Sequence, residues 1–173
     1  MKIKRFEFNM FPVNCYVLWD DTKEAVVIDP GCFYEEEKQA LKKFILTNEL
    51  TVKHLLNTHL HLDHIFGNPF MLKEFGLSAE ANKADEFWID EAPKQSRMFG
   101  FQLQKNRFRW GNICMTEISS LSDTPSWKQS MSPDIRPVAW CIIARKKTAC
   151  SPATYCFKAA SVVPICRVAT STN

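Results

Sequence analysis

Glycine is scarce in this chain, five residues in 173, and only Gly111 lies beyond residue 104. No histidine follows His64, and past residue 104 the acids are Glu117, Asp123 and Asp134 alone. No apolar run approaches the roughly 20 residues that a membrane span needs. Met1-Lys2-Ile3-Lys4-Arg5-Phe6-Glu7 lacks the apolar stretch of a secretory signal, so neither a signal peptide nor a span is expected. The seven cysteines include no C-x-x-C pair. The five after residue 104 (Cys114, Cys141, Cys150, Cys156 and Cys166) have no histidine beside them, which argues against a structural zinc site there. An odd cysteine number without disulfide-like spacing fits a reducing compartment, and the expected location is the cytoplasm. Arg145-Lys146-Lys147 is the one basic cluster, and no nucleic-acid-binding motif accompanies it. Neither nucleic acid nor a membrane surface is therefore an expected partner.

What the chain does have is Thr58-His59-Leu60-His61-Leu62-Asp63-His64. Three of its four histidines and a carboxylate fall within six residues there. One compact ion cannot easily take four ligands from so short a stretch. The spacing suits two adjacent ions, with His59 and His61 facing one and Asp63 and His64 the other. A catalytic zinc needs about three protein ligands and an open position, so each ion would still lack partners.

The flanking residues read as a rigid mount for that loop. Val52 to Asn57 is β-branched at its start and apolar at its centre, a buried strand running into the motif. His54 lies inside it and is read as a packed histidine, not a ligand. Downstream, Ile65 to Pro69 turns the chain, and Pro69 can start a helix through Phe75. Upstream, Ile3 to Phe8 and Cys15 to Trp19 read as strands, with Asp20-Asp21 turning into Glu24 to Asp29. That third run is continuously apolar, as for a strand buried on both faces. Asp29 at its tip can orient a metal-bound histidine through a hydrogen bond. A helix is expected from about Tyr34 to Asn48, with Leu41, Phe44 and Ile45 facing the sheet. Glu35, Glu36 and Glu37 form a solvated start, and Lys42 and Lys43 suit the dipole nearer the end. Asn82 to Asp90 and Ala92 to Phe99 read as two further helices, with Phe87, Trp88, Met98 and Phe99 as core or pocket walls. The order of elements predicts an α/β layer structure.

Asn14-Cys15-Tyr16-Val17-Leu18, then Val26-Val27-Ile28-Asp29-Pro30-Gly31, then Thr58 to Asn68 resemble the metallo-β-lactamase superfamily, specifically its small glyoxalase II-like hydrolases. The resemblance covers residues 1 to about 104. It implies an αβ/βα four-layer sandwich with two metal ions between the sheets. By that resemblance His59 and His61 hold one ion, Asp63 and His64 the other. The ions are zinc in the usual case, with iron or manganese as alternatives. In the family a hydroxide held by the ions attacks an activated carbonyl such as a glutathione thiolester, oriented by an aspartate at the position of Asp63. A small-molecule thiolester is thus the implied substrate. Some relatives hold iron and oxidise persulfides, and the loop alone does not distinguish that chemistry.

The family also needs a histidine in a Gly-His-Ser-Pro-Gly loop, an aspartate in a Ser-Gly-Asp strand end, and a last histidine. None follows residue 104 as written. Residues 1–104 carry 12 Lys+Arg against 16 Asp+Glu, a net of −4, whereas 105–173 carry 10 against 3, a net of +7. Back-translation offers one explanation for both facts. In the frame beginning at each codon's third base, Pro133 to Thr172 permits a peptide containing Gly-His-Ser-Pro-Gly-Ser and, later, Ser-Gly-Asp. Asp134-Ile135 can encode His-Ser and Pro152-Ala153-Thr154 can encode Gly-Asp. The expectation is a one-base change of register near Leu103 to Arg107. Only the N-terminal half of the sandwich, residues 1–104, would then be in frame. Residues 105–173 would form a poorly packed tail, metal affinity would fall, and the chain could be a catalytically dead remnant.

Overall fold

Crossing from one strand to its parallel neighbour through a helix is what places the histidine loop at the end of a buried strand. The computed structural model describes residues 1–100 and 113–116. β1 (Lys2–Phe8) pairs antiparallel with β2 (Val13–Trp19), Lys2 opposite Trp19 and Phe8 opposite Val13. β2 pairs antiparallel with β3 (Glu24–Ile28). After helix α1 (Glu35–Thr47) the chain returns as β4 (Thr51–Leu56), parallel to β3. β5 (Ala79–Asn82) and β6 (Ile113–Thr116) extend the sheet in parallel, giving the order β1-β2-β3-β4-β5-β6. This is an α/β fold, with one mixed sheet and its helices among the described residues. The expected boundary at residue 104 has only β6 beyond it here; the remainder of 105–173 lies outside the described residues.

The sheet is apolar on both faces where it matters. Ala25 and Val27 join Cys15, Val17 and Leu55 in one buried cluster, capped by Leu41 and Ile45 of α1. Val26 and Ile28, alternating with them, are buried as well, as a strand covered on both sides requires. Phe44 of α1 meets Phe6 edge-on at 5.4 Å and Trp19 at 5.5 Å, tying the helix across β1 and β2. β1 is less buried than its alternation predicts: Lys2, Ile3, Lys4 and Arg5 are exposed, as suits a charged edge strand.

Several expectations are corrected. Glu37 is not part of a solvated helix start. It folds back to accept from the backbone N–H of Phe33 (2.8 Å) and Tyr34 (3.0 Å), satisfying donors that the first helical turn leaves open. Lys42 does not serve the helix end, since its ammonium pairs with Glu74 of α3 (Asn68–Phe75). The second half of the histidine loop is helical: α2 (Leu62–Ile65) closes with His64 N–H on the His61 carbonyl at 3.0 Å. α3 begins as expected beside Pro69 and stops at Gly76, whose φ of 70° is the left-handed cap that glycine takes without strain.

The stretch 82–99 departs most. Asn82 ends β5, Lys83–Asp85 form a 3₁₀ turn, and one helix, α4 (Phe87–Met98), replaces the two expected. Pro93 sits inside α4 at a usual cost of about 3 kcal/mol. Burial of Ala92, Gln95 and Ser96 beside it holds the helix together. Of the four expected wall residues only Trp88 packs inward, against Leu60, Ile65 and Ala81. Phe87, Met98 and Phe99 are exposed, because α4 turns its Ala92–Gln95 face to the loop. No described helix is long and apolar enough to cross a membrane.

Candidate metal centre

The site begins at two adjacent parallel strand ends. Asp29 follows β3 directly, held at φ 48°, and its N–H bonds the Leu56 carbonyl of β4 at 2.9 Å. That bond sets the Asp29 carboxylate beneath the loop leaving β4. The Thr58 N–H donates to Asp29 Oδ1 at 2.7 Å and the Thr58 hydroxyl to Oδ2 at 2.5 Å. His64 Nδ1 lies 3.0 Å from the same Oδ2. The Thr58 hydroxyl, having donated its proton, accepts from His59 Nδ1 at 3.0 Å. Asp29 thereby fixes two imidazoles, His64 directly and His59 through Thr58. His59 has its Nδ1 engaged with Thr58, so its Nε2 carries the lone pair toward the site, whereas His64 is held by its charge contact with Asp29.

Burial pushes the Asp29 carboxyl up, but the charges and hydrogen bonds of His64, His59 and Thr58 outweigh it and hold the group below its ordinary value. It works as a carboxylate acceptor. Asn57 and Asn68 brace the same loop from below. Asn57 Nδ2 reaches the His64 carbonyl at 3.3 Å, and Asn68 Nδ2 donates to Asn57 Oδ1 at 2.9 Å. Leu60 and Leu62, buried between the polar residues, anchor the loop so that its alternate side chains face one mouth.

There the four sequence-predicted ligands come together. His59 Nε2 stands 3.0 Å from His61 Nδ1, and His64 Nε2 is 3.7 Å from Asp63 Oδ2. The His59 ring lies 4.5 Å from that of His61 and 4.0 Å from that of His64. His61 and Asp63 are half-buried, while His59 and His64 are buried. Imidazole nitrogens and a carboxylate at this separation form a donor set that suits zinc or iron. The shortest polar approaches join His59 to His61 and Asp63 to His64, while the His59 ring also lies against that of His64. Among the described residues, however, no three such groups surround one ion position. Each pair needs donors from elsewhere in the chain.

His54 is apart from the site, its Nδ1 2.7 Å from Glu80 Oε1 across β4 and β5. Cys15 and Cys32 are fully buried, and burial pushes the Cys32 thiol up to about 12. Two contributors, Gln95 and Thr58, escape sequence reading, and a third, Trp88, reads there only as a core or pocket wall. The Trp88 ring lies edge-on to His61 at 4.1 Å. Gln95 accepts from the Leu62 N–H at 3.1 Å, holding the start of α2 from α4. Thr58, visible only as the residue before the motif, carries the relay to His59. The T-H dipeptide after a strand was the available signal for it.

With this geometry in place, the sequence profile described as the Metallo-beta-lactamase superfamily matches residues 9–130. The chain belongs to the metallo-β-lactamase superfamily, a family of metal-dependent enzymes. It is 35% identical over 101 residues to hydroxyacylglutathione hydrolase GloC of Haemophilus influenzae, covering 58% of this chain and 46% of that protein. The chain thus spans about half the length of the curated relatives it matches. Among solved structures, the BLEG-1 B3 metallo-β-lactamase aligns with a TM-score of 0.53 and 27% identity, covering 68% of this chain and 55% of the other. TTHA1623, solved in a di-iron-bound form, shares the fold at a TM-score of 0.52 and 21% identity, covering 68% and 55%.

The buried carboxylate of this metallo-β-lactamase fold carries a stability prediction. Asp29→Asn keeps the shape but turns an acceptor oxygen into a donor facing Thr58 or His64. The expected loss is about 1–3 kcal/mol, read as the urea midpoint of metal-free protein. A midpoint unchanged from wild type would show that the relay contributes nothing.

Proposed function

We propose that this chain derives from a metal-dependent hydrolase of thiolesters, of the hydroxyacylglutathione type. The observation that carries the reading is the pairing of His59 with His61 and of Asp63 with His64, with two imidazoles set by Asp29. The 35% identity to a hydroxyacylglutathione hydrolase supports the substrate class. His59 and His61 would hold one ion, Asp63 and His64 the second. Bound there, the metal supplies Lewis acidity, making water a nucleophile near neutral pH and drawing charge from a carbonyl. Asp63, half-buried beside His64, would accept the proton of the attacking water. Through Thr58, Asp29 sets the His59 tautomer that presents Nε2 toward a metal, and its charge holds His64 beside it.

A second reading, a catalytically dead remnant, is favoured by the absence of any histidine after His64. We infer that residues beyond 104 are read one base out of register, so that the remaining ligands are not encoded in this chain. Elemental analysis of purified protein, with S-lactoylglutathione turnover, separates the readings. If the chain is an enzyme, His59→Ala lowers turnover by on the order of a hundredfold or more and removes bound metal. Turnover that survives His59→Ala would refute the site assignment. Metal at one ion or less per chain with negligible turnover supports the remnant.

A further inference from the structure

We propose that Asn9, anchored by Glu37, is a positioning residue for the metal loop, acting through the backbone of Asp63. Asn9 lies in the turn between β1 and β2, 54 residues from Asp63, and no motif includes it. Its side-chain amide donates to two carbonyls at once, Gly31 at 2.8 Å and Asp63 at 3.1 Å. Its Oδ1 accepts from the Phe11 N–H at 2.8 Å. Both amide hydrogens therefore have acceptors, and the side chain joins three separate segments: the β1–β2 turn, the β3–α1 loop and the metal loop.

The residue is itself held. Its backbone N–H donates to Glu37 Oε1 at 2.6 Å, while Glu37 Oε2 takes the N–H groups of Phe33 and Tyr34. One carboxylate thus fixes Asn9 to the rigid start of α1. Asn9 has a φ of 55°, a left-handed conformation that asparagine tolerates better than most residues. Packing agrees with the hydrogen bonds. A Cβ on Gly31 would stand 2.7 Å from the Asp63 carbonyl oxygen and 2.9 Å from Asn9 Nδ2. The three segments meet with no room to slide. Because the Asp63 carboxylate hangs from the backbone that Asn9 grips, the clamp sets where that carboxylate sits relative to His64. This significance for metal rests on the reading of Asp63 as a ligand; the clamp itself does not.

Asn9→Gly is the informative variant, because glycine keeps φ 55° without strain and deletes only the side chain. Hydrogen exchange on the full-length, metal-free chain reads the clamp directly. Amides of residues 58–64 should exchange roughly tenfold faster, with the β4 and α1 amides unchanged. Cobalt(II) titration gives a second arm, with affinity about tenfold weaker than wild type. Equal exchange in loop and strands, whether unchanged or uniformly faster, would overturn the proposal. If Asn9→Gly does not fold, Glu37→Gln should loosen residues 58–64 selectively, and its failure to do so would overturn the proposal as well. Should the wild-type chain take up no cobalt, the ligand assignment fails, and exchange alone decides the clamp.

Discussion

Gly67→Ala is expected to destabilise the fold by about 3 kcal/mol or more, with the urea midpoint as the measurement. Gly67 lies at the start of α3 with φ −88° and ψ −6°, a conformation any residue adopts. Backbone strain therefore contributes nothing, and the effect isolates sterics. A Cβ there would lie 2.2 Å from the Pro30 carbonyl oxygen and 2.4 Å from the buried Cys32 Sγ. The Gly67 N–H also donates to that same Pro30 oxygen at 2.6 Å. Neither neighbour can give way. Pro30 follows Asp29, whose carboxylate holds Thr58, and Gly31 is wedged against Asp63 O. Moving Pro30 would drag the whole underside of the metal loop. A midpoint within about 0.5 kcal/mol of wild type would show that the two loops slide freely, and would weaken the account of how Asp29 is placed.

The parts legible from sequence share one property: their physics is local. The His59–His64 spacing, the Pro69 start of α3, and the apolar run that makes β3 buried on both faces each need only neighbours in the chain. What escaped depends on distant partners. β5 is Ala-Glu-Ala-Asn, with little strand propensity, and exists because Leu55 and Leu56 pair beside it. α4 runs through Pro93, which reads as a break, because Ala92 and Gln95 pack against the metal loop. Glu37 looks like a helix-dipole charge until Asn9 arrives from another turn. Trp88 and Phe87 are adjacent aromatics of equal promise, and only the helix phase sends one to His61 and the other outward. The candidate ligand cluster was thus readable, whereas the residues that hold it still were not.

If residues beyond 104 are one base out of register, restoring the frame near Leu103 to Arg107 is expected to raise thiolester turnover by on the order of a thousandfold or more over the chain as it stands. Among the described residues no three such side chains surround one position, and a catalytic zinc takes about three plus an open site. With so few ligands an ion is weakly held, and the charge it should draw from a carbonyl is not fixed in place. The shifted frame permits a histidine at Asp134-Ile135 and an aspartate within Pro152-Ala153-Thr154, the residue types the two pairs lack. It also accounts for the swing in net charge from −4 over residues 1–104 to +7 over 105–173, which a single sandwich gives no reason to show. The nucleotide sequence is the first check: downstream of Gln104 the alternative frame must encode both motifs, or the reading fails outright. If it does, the restored chain should bind two ions against one or fewer. Its turnover should then fall by on the order of a hundredfold with His59→Ala. A restored chain no more active than the original would move the defect into residues 1–104, where the donor pairs and the Asp29 relay lie.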